Sequence, residues 1–178
     1  MVGIPTGKTG GCDLVNLELQ SVLEKIAGIL VKRGQNVSLA ESCTGGLVSA
    51  YITSMPGSSK YFEGGIISYS NLVKQNELLV PFSLIESMGA VSVPVAKHMA
   101  YGVQQKLQTH WGLSVTGIAG PDGGTADKPV GTVCFAWVGP GFERVTRMNF
   151  NKSLSRSEIQ QESVAYCLSH FLKILEEQ

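Results

Sequence analysis

The segment "VSLAESCTGGLVSAYI" sets Ser42, Cys43 and Thr44 side by side ahead of Gly45 and Gly46. Each of the three carries a side chain able to attack an electrophilic carbon. The apolar run before them and the amphipathic run after them place the trio where a strand hands over to a helix. The first amides of a helix lack intrahelical partners and carry partial positive charge, so they can hold an anion or a developing oxyanion. The two glycines let another molecule approach the backbone closely. The residues admit two readings. In one, a hydroxyl attacks while the Cys43 and Thr44 amides receive the negative charge; in the other, Ser42 or Thr44 simply caps the helix. Attack by the Cys43 thiol is a further variant of the first. The glycines flanking a G-x-S-x-G elbow are not in place.

A serine nucleophile needs a base. His98, His110 and His170 fall in helices or at a helix end, remote in sequence from the motif. Lysine serves if its charge is suppressed. "SYSNLVK" puts Lys74 in the first turn of a helix that follows a strand, where the positive helix end weakens an ammonium by about 1 kcal/mol or less. Tyr69, at the end of that strand, is placed to relay a proton or fix the lysine. The plain alternative is a solvated lysine on an amphipathic helix. A third element, "SVTGIAGPDGGTADKPVGTV", is rich in glycine and carries Asp122 and Lys128 as its polar groups. Successive amides in such a loop bind phosphate or carboxylate, or the loop is a long structural turn. No G-x-G-x-x-G opens a helix, which argues against a dinucleotide fold.

The elements that must position these groups follow from periodicity. Helices are expected over 14–33 (Asp13 as N-cap, Gly34 as stop), 47–54, from 71, over 83–89, from Ser92–Pro94 to about 109, and after Ser155, where Ser155 and Glu158 form a capping box. Strands are expected at 36–40, ending before Glu41, at 64–70, at 112–119, and as a pair near 131–150. Strands flanked by helices, with a hairpin-like pair near the end, give an α/β fold: a single layered domain with a mixed β-sheet. Residues 1–13 read as a flexible tail and 14–178 as one domain. "GIPTGKTG" is one residue short of P-loop spacing.

Acidic and basic residues balance at 14 each, so nothing in the charge draws nucleic acid or a membrane surface. Cys12, Cys43, Cys134 and Cys167 form no C-x-x-C pair, and the histidines share no ligand spacing. Reduced thiols, no metal and a cytoplasmic location are the expectation. The N-terminus lacks the apolar stretch of a signal peptide.

Together "AESCTGG", "GSSKYFEGGIISYSN", "GAVS" and "TGIAGPDGGTADKPVGTV" resemble the CinA C-terminal domain family, and within it the stand-alone nicotinamide-mononucleotide deamidases. The resemblance spans about residues 15–175. It implies amide hydrolysis without a cofactor: nicotinamide mononucleotide and water give nicotinic acid mononucleotide and ammonia. It implies Ser42 as nucleophile, with Tyr69 and Lys74 as its catalytic partners. Cys43, Thr44, Gly45, Gly46, Gly120, Asp122, Gly123, Gly124 and Arg156 are implied on the substrate side. A homodimer or larger homo-oligomer is implied as well. Longer relatives carry an N-terminal domain of nucleotide-pyrophosphatase type, which is not expected here, with only about a dozen residues ahead of the first helix. The chain departs from the family at "KSLSRSEIQQES": Arg156 and Ile159 align, while Gln160 stands where a second arginine is common. That departure keeps a non-catalytic nucleotide-binding module open as the alternative.

Overall fold

Leu19, Leu23, Ile26 and Leu30 recur at three- and four-residue spacing and form the buried stripe of helix α1, Leu17–Arg33. In the computed structural model, which describes residues 17–178, Gly34 ends this helix with a φ of 61°, a backbone state that glycine adopts without strain. The Asp13 cap and the tail lie outside the described residues. The chain continues through β1 (Val37–Glu41), α2 (Leu47–Thr53), a short 3-10 turn (Ser58–Lys60), β2 (Phe62–Ile67), α3 (Asn71–Leu78), α4 (Phe82–Met88) and α5 (Val93–Leu107). Then follow β3 (Trp111–Gly117), β4 (Thr132–Gly139), β5 (Phe142–Asn149) and α6 (Arg156–Glu177).

The strands form one mixed sheet in the order β2-β1-β3-β4-β5. β1 runs parallel to both β2 and β3, whereas β3–β4 and β4–β5 are antiparallel. The expected fold class is the one observed. The strands are shifted by one to three residues from expectation, β2 starting at Phe62 and β3 running Trp111–Gly117, and two of the shifts bear on the site. Glu41 belongs to β1, pairing with Ile67 and Val115, because its side chain finds donors that make its burial tolerable. β2 stops at Ile67 rather than at residue 70, because Ser70 is already the N-cap of α3, accepting from the Val73 amide. Late in the chain, the Ser155–Glu158 capping box is formed in full.

The sheet's two faces differ in bulk. Toward α1, α2 and α6 it presents Val37, Leu39, Trp111, Leu113, Val115, Phe135 and Trp137, which make the main core. Toward α5 it presents Ala40, Gly112, Ser114, Cys134 and Ala136. Alternation along each strand separates the two sets. The small side lets α5 sit close: Ser114 Oγ donates to the Ala96 carbonyl at 2.6 Å, and a Cβ on Gly112 would stand 2.2 Å from the Ala100 carbonyl oxygen. Gly112→Ala should therefore destabilise the fold by about 1–3 kcal/mol through overpacking, read as a lower urea midpoint at unchanged m-value. A midpoint equal to the parent's would show that α5 can back away freely.

Candidate active site

From β1 the chain crosses by α2 to one side, making β2, and then by α3, α4 and α5 to the other side, making β3. The crevice beyond the carboxyl ends of β1 and β3 is thus a topological switch point, the customary place for a ligand in an open α/β sheet. The residues that leave those strands carry the chemistry read from the sequence.

Glu41 ends β1 with its side chain directed at α2. Its carboxyl oxygens accept from the amides of Gly46 (3.1 Å), Val48 (3.1 Å) and Ser49 (2.8 Å) and from Ser49 Oγ (2.6 Å). Glu41 thus takes the capping role that the sequence offered to Ser42 or Thr44. It also occupies the α2 amides, which corrects the idea that the helix start itself is the anion site. Between strand and helix, residues 42–46 form a tight turn. Ser42 donates its amide to the Val115 carbonyl at 2.9 Å, and the Gly45 amide returns to the Ser42 carbonyl at 3.1 Å. Among the described residues, neither the Cys43 nor the Thr44 amide donates to an oxygen. Those two amides, rather than the first amides of α2, are left without an oxygen partner, and of the two residues Cys43 lines the cavity described below.

Lys74 is 1% exposed, against the solvated alternative. Its Nζ lies 3.0 Å from Ser42 Oγ, 2.6 Å from the Ser68 carbonyl oxygen and 3.4 Å from that of Tyr69. Ser68 is fixed in turn, donating its amide (2.7 Å) and its Oγ (3.3 Å) to the Glu41 carbonyl. Burial holds the Lys74 amine well below the ordinary lysine range, to about 8. Desolvation is the leading cause, rather than the helix end invoked from sequence. Cys43 goes the other way: burial, partly opposed by its own backbone amide, pushes its thiol up to about 12. A thiol so protonated is a poor nucleophile at neutral pH, which argues against the cysteine variant.

Ser42 and Lys74 open onto a cavity of about 290 Å³, also lined by Cys43, Tyr69, Gly120, Asp122, Gly123 and Arg156. Thr44, Gly45, Gly46 and Gly124 were expected beside the substrate but do not line it. Thr44 is buried with its Oγ1 unpartnered, the Gly46 amide is held by Glu41, and Gly124 packs on the Val130 backbone. Tyr69 is 63% exposed, and its phenol oxygen accepts from Arg156 Nη2 at 3.2 Å at the cavity mouth. Its carbonyl, not its ring, meets the lysine. Arg156 also donates through Nη1 to the Gly120 carbonyl at 2.9 Å, tying the glycine-rich loop to α6. Lys128 ties that loop to the end of α4 through the Met88 carbonyl.

Sequence reading missed Glu41, Ser68, Asn71 and Thr116 as parts of the site or its frame. Only Glu41 carried a signal, a charge within an apolar strand. A wider groove of about 430 Å³ runs between α3 and α5, and no candidate residue faces it. No three His, Cys, Asp or Glu side chains gather to hold a metal among the described residues, and no helix there is long and apolar enough to cross a membrane.

Fold and site thus define an α/β domain with a buried serine–lysine pair at the strand ends. Residues 19–175 match the model of the CinA C-terminal domain, and the chain belongs to that family. It is 49% identical over 158 residues to a CinA-like protein of Prochlorococcus marinus subsp. pastoris, an alignment covering 88% of this chain and 36% of that protein. The chain spans about a third of the length of the curated relatives it matches. Among solved structures, the competence/damage inducible protein CihA from Agrobacterium tumefaciens superposes with a TM-score of 0.84 at 34% identity, covering 88% of this chain and 94% of that one. The competence damage-inducible protein A (ComA) from Klebsiella pneumoniae gives 0.83 at 29%, covering 88% and 96%.

The buried amine couples stability to pH. Below about pH 8 Lys74 is charged in both folded and unfolded chains, and the folded state bears the whole desolvation cost. Between that value and 10.5 the unfolded chain holds the extra proton, so stability climbs with pH; above 10.5 the cost is gone. The stability of Lys74→Met relative to the parent should therefore fall by up to ~3 kcal/mol from pH 7 to pH 11, measured by urea unfolding. A difference that stays flat with pH would mean the lysine binds its proton equally well folded and unfolded.

Proposed function

We propose that the chain hydrolyses the carboxamide of nicotinamide mononucleotide, releasing nicotinic acid mononucleotide and ammonia. The observation that carries this reading is the 3.0 Å approach of Lys74 Nζ to Ser42 Oγ at the cavity floor. A neutral amine has two hydrogens and one lone pair. With the hydrogens given to the Ser68 and Tyr69 carbonyls, the lone pair is left for Ser42. Lys74 takes the hydroxyl proton as Ser42 Oγ bonds to the carboxamide carbon. The Cys43 amide, at the cavity wall beside Ser42, holds the oxyanion. The intermediate collapses, the C–N bond breaks, and the Lys74 proton leaves with the nitrogen as ammonia. Water, deprotonated by the same amine, then cleaves the acyl-serine and regenerates Ser42.

The cavity mouth suits the rest of the substrate. Arg156 supplies a fixed cation for a phosphate, and Tyr69 beside it offers an aromatic face to a planar ring. The family resemblance supplies the choice of nucleotide; the geometry supports amide chemistry at an anionic ligand.

Purified protein incubated with nicotinamide mononucleotide should release ammonia. Ser42→Ala and Lys74→Ala should each lose at least ~10³-fold in kcat while still binding substrate. Cys43→Ala should stay within about tenfold of the parent, since its thiol is not the attacking group. Saturable binding with no ammonia would instead identify a nucleotide-binding module. The kcat/KM of the parent should rise with pH through an apparent pKa near 8, as the base loses its proton. A profile flat from pH 6 to 9 would remove Lys74 as the base.

A further inference from the structure

Gln160 lies one helical turn beyond Arg156, so both project from the same face of α6 toward the strand ends. Arg156 holds the Gly120 carbonyl, and Gln160 Nε2 donates to the Cys43 carbonyl at 2.8 Å. A carbonyl only accepts, so the amide nitrogen is the end that faces it. α6 is a firm support for this contact. Its first turn is locked by the Ser155–Glu158 box, and Ile159, next to Gln160, is fully buried.

The Cys43–Thr44 peptide is trans and planar, since among the described residues only Gly120–Pro121 is cis. Its C=O and N–H therefore point in opposite directions, and fixing the first fixes the second. The Thr44 amide is one of the two left open in the turn, and Ser42 is joined to it through Cys43. Within the turn the Gly45 amide returns to the Ser42 carbonyl and the Leu47 amide donates to the Thr44 carbonyl, while the main-chain ties to the strands are at the turn's ends, the Ser42 amide on Val115 and the Gly46 amide on Glu41. Gln160 is the side chain that reaches the middle of the turn from a distant element.

We propose that Gln160 is a positioning residue for the nucleophile. By donating to the Cys43 carbonyl it fixes the Cys43–Thr44 peptide and holds the adjoining Ser42 in line with Lys74. This rests on the reading of Ser42 as nucleophile. A neutral donor is sufficient for the task, so the amide's hydrogen-bond polarity, not charge, is the property that matters.

The experiment compares the parent with Gln160→Ala, Gln160→Glu, which keeps the shape but loses the donor, and Gln160→Arg, which restores a planar N–H head. Two readouts are taken at equal thermal midpoints. The first is hydrogen–deuterium exchange of a peptide covering residues 42–47. The second is the rate at which a fluorophosphonate labels Ser42, alongside kcat and KM for nicotinamide mononucleotide. The expected result is exchange at least about fivefold faster in the Ala and Glu variants, with labelling and kcat down about tenfold or more and KM little changed. Removing an oxyanion donor outright costs about 10²–10³-fold, which bounds the effect from above. Gln160→Arg should return toward the parent.

Unchanged exchange in the Ala and Glu variants overturns the positioning role. Faster exchange with unchanged labelling overturns it too, because the tie would then be structural only. A parent that neither labels at Ser42 nor releases ammonia sinks the amidase reading instead, and the exchange result alone then upholds or overturns the tie.

Discussion

An amine on a chain as long as lysine's normally keeps its head in water, and Lys74 is denied that. Its Nζ is enclosed by three oxygens, two of them main-chain carbonyls that cannot give up a proton and one a serine hydroxyl that can. Removal from water weakens the ammonium, and the same enclosure makes the serine the natural source of a proton for the neutral amine. The surrounding structure answers to this arrangement. β2 stops where the Ser68 carbonyl must turn toward the amine, Ser70 starts α3 at once, and that helix delivers Lys74 one turn later.

The turn that bears Ser42 is governed by a second buried polar group. Glu41 is fully buried at the end of a strand whose other members are apolar or small, a costly place for a carboxyl group unless its oxygens are satisfied. α2 satisfies them, and in doing so its own first amides cease to be orphans. Residues 42–46 are left bridging two well-anchored ends, which is how a segment rich in small residues holds one shape. The glycines of the turn serve that bridge rather than the ligand.

Much of this was readable in the amino acids. Apolar periodicity located the helices because their buried stripes are regular, as in α1 and α6. The strand–turn–helix at Ser42 and the helix start before Lys74 were legible from caps and composition. What sequence could not supply was distance: that residues 42 and 74 meet depends on β1 and β2 being parallel neighbours. Nor could it show burial of Lys74, since an amphipathic helix carries lysines on its wet face far more often. Glu41 was passed over because a charge at a strand end looks like a boundary. Tyr69 was placed at the right level of the molecule but its ring swings outward to Arg156, a choice made by a residue 87 positions away.

The sheet ladder does not stop at the last residue of each strand. Ser42 continues it by donating to Val115, and Ser68 continues it by donating to Glu41. Ser42 and the carbonyl that grips the amine are thus graduations on the same ruler, spaced by strand pairing at about 4.8 Å rather than by loops. The glycine-rich segment from 118 to 131 lies across this ruler without being part of it. Insertions or exchanges in that segment can reshape the cavity's rim while Ser42 and Lys74 keep their separation, a division of labour between a variable border and a fixed floor.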